Sequence, residues 1–492
     1  METTTVEEMA AAFKQMGASF IVGHPGGESV ELMEAAKARG IRFILMKQEV
    51  AGAMLAATLG EITGSPGVCL STRGPGVTNM VNGIAHAFLD RAPLIAITDR
   101  YSNQEQEIGL RQRLDHKAIL QPIVKWSTTI DATIIKQQLR RALRVSTAYA
   151  PGPVHFDLPQ SETKKICASP QNLSNLIPNY YQPSPSPESL ETAIKTIKNA
   201  KNPVLLAGLG IFWDNACNAT VTLAEHLGAP VLTTSKCKGI MPEDHPLRAG
   251  CIIGGLIERQ LISQSDLIIT IGLDTVELQP KGWPYSTKVL SFANVPSLDG
   301  LVACNEEVVG NLDLILRTVT ALLPKGFEWG FDAALNFRNQ VNDALDTPST
   351  GLSPQRVVEQ ARKILPRNTL ATCDAGASRL LVVQKWQSFG PREFLTSNGL
   401  GSMGFAIPGA LAAKLTHQDR PVIAFTGDGG LLMAVADIQT SVREKLPIII
   451  LVFDDGEVGL IRTKQSIKGI EPYGIHIGGI NWEHLALGFG AN

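Results

Sequence analysis

Two acidic turns, TGDGG at 426–430 and FDDGE at 453–457, each follow a short apolar run, PVIAF (421–425) and PIIILVF (447–453). Runs this short, apolar and rich in β-branched residues read as buried strands. Between them Leu431, Val435, Ile438 and Val442 recur at helical spacing, which predicts a crossover helix with one apolar face. A strand–helix–strand unit within one sheet makes its two strands parallel. Their C-terminal ends then leave the same edge of the sheet, where open α/β sheets bind their ligands. Asp428 and Asp455 would converge there and repel unless a cation lies between them. A hard divalent ion with oxygen ligands suits such a pair. The competing reading is that both aspartates cap helices or fill turns. A matched pair across one crossover favours the metal.

The same alternation runs through the rest of the chain, whose 492 residues suffice for about three domains. A first α/β block ends near residue 165 in APGPVHFDLP, and the Ser-, Pro- and Asn-rich stretch 169–189 reads as a linker. A second block strings together NPVLLAGLG, APVLTTS, DLIITIGLD and KVLSFANV, again the pattern of a small parallel sheet. After about residue 325 a polar run containing FRNQVNDALDTPSTGLSP reads as a second linker, and the third block follows it. The expected fold class is α/β, with three doubly wound parallel-sheet domains at 1–168, 187–325 and 350–492. HLALGFGAN closes the sequence just after a helical stretch, so a further C-terminal segment is expected.

Composition narrows the function classes. A chain that is 44% hydrophobic and 18% charged suits a soluble globular protein, and a net charge of −2 gives no reason to expect nucleic acid or an anionic membrane. The opening METTTVEEMAAAF lacks the basic and apolar regions of a signal peptide, and no apolar run is long enough to span a bilayer. Seven scattered cysteines without a CxxC read as reduced thiols in a cytoplasm. There is no GxxxxGK[ST], and GLG at 208–210 is too little for a dinucleotide fingerprint.

Six ordered segments carry a family resemblance: GHPGGESVELMEA (23–35), KQEVAGAMLA (47–56), STRGPGVTN (71–79), GPVHFDLP (152–159), SNGLGSMGFAIPGA (397–410) and GDG with FDDGEVGLI (427–461). Together they make the chain resemble the thiamine-diphosphate enzymes of the acetolactate synthase, pyruvate oxidase and 2-oxo-acid decarboxylase group, over nearly its whole length. The resemblance implies pyrimidine-binding, central and diphosphate-binding domains in that order. It implies Mg2+ held by Asp428, by Asp455 (where the family usually has Asn) and by the main-chain oxygen near Glu457. It also implies thiamine diphosphate held by Pro25, Gly26, Glu49, Thr72, Gly74, Asn79, Gly376, Gly401, Met403, Gly427, Gly429 and Gly430. Glu49 matches the family's catalytic glutamate, whose carboxylate on the aminopyrimidine promotes formation of the C2 carbanion. Without the family it would equally read as a surface residue opening a helix. Met403 matches the apolar prop under the bent cofactor, against the alternative of an ordinary core Met. Gln112 falls near an active-site Gln, and His116 reads as a proton donor or, preferably, a surface helix residue. By the same resemblance the chain is a homodimer or homotetramer.

Three departures separate it from the synthases within that group. Leu273 in IGLDTVEL replaces an Arg, Lys464 in IRTKQ stands where a Trp is usual, and AGCIIGGLIE replaces the flavin-contacting stretch. FAD is therefore not expected, and acetolactate synthesis becomes an alternative to general 2-oxo-acid decarboxylation or carboligation. New positive charge at Arg73, Arg462 and Lys464 points instead to an acidic substrate, since a guanidinium fork matches a carboxylate. Arg73 has a competing reading as a structural Arg paired with Asp90 or an acid near Glu49. A non-catalytic cofactor-binding relative is the remaining class, and Glu49 together with Met403 argues for the enzyme.

Overall fold

The computed structural model describes residues 2–167, 184–279, 282–297, 300–326, 328–346 and 351–492. Most of the expected linker 169–189 lies outside them. The chain forms two compact units, Met1–Tyr180 with Gly399–Asn492, and Tyr181–Asn398.

The first block builds a six-stranded sheet from β1 (Phe20–His24), β2 (Arg42–Leu45), β3 (Gly67–Ser71), β4 (Leu94–Arg100), β5 (Trp126–Thr129) and β6 (Pro153–Pro159), in the order β2-β1-β3-β4-β6-β5. Every described pairing is parallel. β3 and β6 are buried along their whole length, because helices cover both faces of a parallel sheet. One of those helices, Glu49–Thr63, buries twelve of its fifteen residues. The EVAGAMLAATLGE stretch is thus a core helix.

The second block repeats the design with β7 (Pro203–Ala207), β8 (Val231–Thr233), β9 (Arg248–Cys251), β10 (Leu267–Ile271), β11 (Lys288–Ala293) and β12 (Glu306–Val309), ordered β12-β11-β10-β7-β8-β9 and all parallel. The polar run after residue 325 is not the linker expected of it. Residues Trp329–Leu345 form a helix that buries Ala333, Ala334 and Phe337, and Phe337 closes over Gly250 of β9. Trp329 and Val341 pack against the same core, so an apolar face fixes the helix where the polar residues suggested a linker.

The third block supplies β13 (Leu370–Cys373), paired in parallel with β14 (Phe394–Thr396), and β15 (Val422–Gly427), paired in parallel with β16 (Ile449–Phe453). The strand–helix–strand unit of the acidic turns is therefore present. Two details differ from expectation. The crossover is two helices, Asp428–Ala434 and Ile438–Arg443, joined by a 3-10 turn, with Val442 40% exposed. β16 is no buried strand either, since Ile449 is 44% exposed and its other residues are only half-buried. The apolar run reports strand tendency, and burial depends on what covers it.

Candidate active site

Asp428 is the first residue of its helix and is buried at the edge of the sheet. Its Oδ1 accepts the Gly429 N–H at 2.8 Å, and its Oδ2 accepts the Gly456 N–H at 2.9 Å, so one carboxylate ties the two acidic turns together. Burial raises its carboxyl above the usual range, and the charges of Asp455 and Asp454 push the same way. Asp455 folds back over Gly459 and its Oδ1 accepts the Glu457 N–H at 3.3 Å. The strand-like segment at 475–477 pins this loop, with Ile477 N–H on Gly456 O at 2.8 Å and Val458 N–H on Ile475 O at 2.9 Å. The Glu457 side chain turns to Arg462 and His476, leaving its main chain as the available ligand. Among the described residues no group of three or more His, Cys, Asp or Glu side chains could hold a metal. A cation here would rest on two carboxylates, main-chain oxygen and a bound anion. Such a set fits Mg2+, which keeps few protein ligands and shares phosphates, and it would relieve the crowding of Asp428.

Glu49 opens its helix after β2 and is buried, with Oε2 accepting from Asn79 Nδ2 at 3.1 Å. Asn79 and Asn82 lie one turn apart on the helix Pro75–Leu89, and Asn82 donates to Ser402 Oγ at 3.1 Å. One helix therefore holds both Glu49 and the GSMG loop. In that loop Met403 Cε stands 3.3 Å from where a Gly429 Cβ would be, beside the helix start that carries Asp428. The crossover is clipped to the chain entering Glu49 as well: Lys47 N–H donates to Asp437 at 3.0 Å, and Arg443 donates to Leu45 O at 2.5 Å. These cross-links span hundreds of residues and leave no periodic trace in sequence. Gly401 sits at φ +67° in the same unit, whereas Gly376 precedes the helix Ala377–Lys385 in the other.

The remaining candidates gather around two turns. A Cβ on Gly26 would stand 2.5 Å from Thr72 Oγ1 and 2.7 Å from Glu28 Oε2, so the Pro25–Gly26 turn lies directly against Thr72. Gly74 adopts φ +69°, and a Cβ there would meet Gln112 Cβ at 2.9 Å. Only glycine fits. Gln112 itself has φ +58°, a left-handed conformation uncommon outside glycine. Arg73 has neither of the partners expected of it. Its guanidinium pairs with Glu28 and packs 3.8 Å from the Tyr101 ring centroid, while Asp90 pairs with His86 at 3.0 Å. Next to this pair Asp99 accepts from Ser29 Oγ at 2.6 Å. Burial pushes its carboxyl up to about 7, with Glu28 adding to the effect. Lys464 is exposed on the helix Gly459–Ile467. His116 is not the surface residue preferred for it. It is buried on Asp157.

Comparison with known proteins gives matches along the same three blocks. The model of the thiamine pyrophosphate enzyme N-terminal TPP binding domain matches residues 3–119, that of the central domain 190–319, and that of the C-terminal TPP binding domain 374–492. A probable acetolactate synthase large subunit of Methanocaldococcus jannaschii is 30% identical, over 96% of this chain and 84% of that protein. Another, from Methanococcus aeolicus, is 28% identical over 94% of this chain and 82% of that protein. A putative thiamine pyrophosphate-containing protein YdaP of Bacillus subtilis is 28% identical over 99% of this chain and 86% of its own length.

Proposed function

The chain belongs to the thiamine pyrophosphate enzyme family, and from that premise we propose that it makes or breaks the C–C bond beside the carbonyl of a 2-oxo acid, with Mg2+ and thiamine diphosphate. The observation that carries this reading is the single buried carboxylate, Asp428, that joins two acidic turns at the C-terminal edge of a parallel sheet. When bound, the cofactor supplies the nucleophilic carbon and the electron sink. The protein's part is binding, orientation and proton handling. Asp428, Asp455 and the main-chain oxygen at Glu457 would hold the cation. Glu49, kept buried and oriented by Asn79, would share a proton with the aminopyrimidine nitrogen. Met403 supports the ring system, and the turns at Pro25–Gly26, Thr72–Gly74 and Gly427–Gly430 give backbone access. Gln112 would face the substrate, Arg73 would do so only while sharing its guanidinium with Glu28, and Lys464 would lie at the rim.

The names of the relatives favour carboligation of 2-oxo acids, and acetolactate formation is the second reading. No FAD is expected in the first reading, because AGCIIGGLIE and IGLDTVEL depart from the synthase pattern, and a bound flavin would favour acetolactate formation. Incubating the purified protein with Mg2+, thiamine diphosphate and a panel of 2-oxo acids tests the proposal. Release of CO2 with an aldehyde or acyloin product is expected. A protein that binds the cofactor but transforms no 2-oxo acid would be a binding relative instead.

A further inference from the structure

Asp157 on β6 lies at the centre of a buried polar network in the first block. Its Oδ1 receives His116 Nδ1 at 2.7 Å and the Thr98 hydroxyl at 2.8 Å. Thr98 Oγ1 is also 2.8 Å from His155 Nε2, and His155 Nδ1 is 2.9 Å from Ser127 Oγ. On the far side of His116, Nε2 faces the Gly74 N–H at 3.3 Å. Arg100 approaches the other Asp157 oxygen at 3.8 Å. All four central residues, Thr98, His116, His155 and Asp157, are buried.

The hydrogens can be placed from donor and acceptor capacity alone. A backbone amide only donates, so His116 Nε2 must offer a lone pair to Gly74. Its proton therefore sits on Nδ1 and points at Asp157. Thr98 has one hydroxyl hydrogen, which goes to the carboxylate, so His155 must donate to Thr98 through Nε2–H and accept from Ser127 at Nδ1. The two histidines carry opposite tautomers around one carboxylate. Burial alone would raise the Asp157 carboxyl, but His116, His155 and Thr98 together hold it below the usual range, so it is the ionised acceptor this scheme needs. Burial lowers His155 to about 4, which keeps it neutral.

A Cβ at Gly74 would meet Gln112 at 2.9 Å, and Gly74 and Gln112 both adopt positive φ. Among the described residues the Gly74 amide is anchored by His116. We propose that His116 is a positioning residue: as an Nδ1–H tautomer oriented by Asp157, it fixes the Gly74 amide and through it sets Gln112 and Arg73 in the site. This rests on the reading that Gly74 and Gln112 face the cofactor and substrate.

Two variants separate positioning from mere packing. His116→Gln retains an amide oxygen able to accept from Gly74, whereas His116→Leu fills the space without an acceptor. Nitrogen-15 NMR of the histidine-labelled holoenzyme, with the His116 signal assigned by its loss in His116→Gln, is expected to show Nδ1 protonated and Nε2 bare. Amide exchange at Gly74 is expected to quicken roughly tenfold in His116→Leu and little in His116→Gln, as befits one lost hydrogen bond. In His116→Leu, kcat should fall with KM raised, and His116→Gln should recover most of both. An Nε2–H tautomer at His116 would overturn the proposal, as would a folded His116→Leu with unchanged Gly74 exchange. If His116→Leu does not fold, the tautomer in the unaltered protein decides. Neither the tautomer nor the exchange readout depends on turnover. Failure to transform any 2-oxo acid would therefore count against the proposed reaction, not against His116.

Discussion

Glu49 and Asp428 were legible because each stands in a short motif, but their supports were not. Asn79 and Ser402 lie in quoted segments and Asn82 and Asp437 in none, but the contacts all four make exist only because the fold brings distant segments together. Arg73 shows the reverse error: its charge was legible and its partner, Glu28, was missed although it lies within the quoted GHPGGES turn. Three outcomes belong at this scale. Asp428→Ala should abolish retention of Mg2+ and thiamine diphosphate, since it removes the tie between the acidic turns together with the cation ligand, and calorimetry reads it directly. Unchanged affinity would remove the metal assignment. Glu49→Gln should keep the cofactor bound yet slow proton exchange at its C2 by on the order of a hundredfold, measured by quenched NMR. Asp99 supplies a pH test. Its carboxyl, near 4 when unfolded and raised to about 7 by burial when folded, binds more protons in the native state across that interval. Stability from this group is therefore lost as pH rises from about 4 to about 7. Melting temperatures of Asp99→Asn against the native protein should show the variant gaining ground over that window. A pH-independent difference would mean the carboxyl is not shifted.

At the level of elements, the parallel strands were readable from apolar runs, and the acidic unit was placed by its period alone. Burial was harder to read, as β16 and Val442 show, because exposure depends on neighbours that periodicity does not name. The helix Trp329–Leu345 was read as linker for a related reason. Its Asn, Asp and Gly residues are weak helix formers, and only the tertiary contact of Phe337 with Gly250 reveals which face was meant for the core. Helix contacts also decide how Glu49 is held. A Cβ on Gly83 would stand 2.5 Å from Ala53 Cβ and 2.7 Å from Val50 O, so the helix Pro75–Leu89 lies almost on the backbone of the Glu49 helix. Gly83→Ala must push the two apart, at a cost of about 1–3 kcal/mol, and should weaken the Asn79–Glu49 contact. Denaturant unfolding checks the first effect. C2 proton exchange checks the second, where an unaltered rate would mean that Glu49 does not need this packing.

For the whole molecule, the parallel α/β class followed from repeated strand–helix alternation, but the exposed apolar side chains of the acidic block did not. The helices Gly459–Ile467 and Trp482–Phe489 bury no residue at all, although Leu460, Ile461, Ile467 and Leu487 are 38%, 41%, 80% and 59% exposed. Ile470 and Tyr473 between them are also exposed, at 51% and 85%. Short helices gain their stability from packing an apolar face, and in water neither of these would hold by propensity alone. Large exposed apolar surface of this kind marks an interface. The stretch begins within the proposed metal loop, so the surface that needs covering adjoins the site, and a symmetric partner covering it would close two sites at once. The protein is therefore expected to be at least a dimer when Mg2+ and thiamine diphosphate are bound. Light scattering should return a mass of two or four 52.8 kDa chains. Ile467→Asp with Tyr473→Ser should shift it toward one chain while weakening cofactor retention. A native protein that scatters as one chain with the cofactor bound would show that these helices are covered by something other than a second copy.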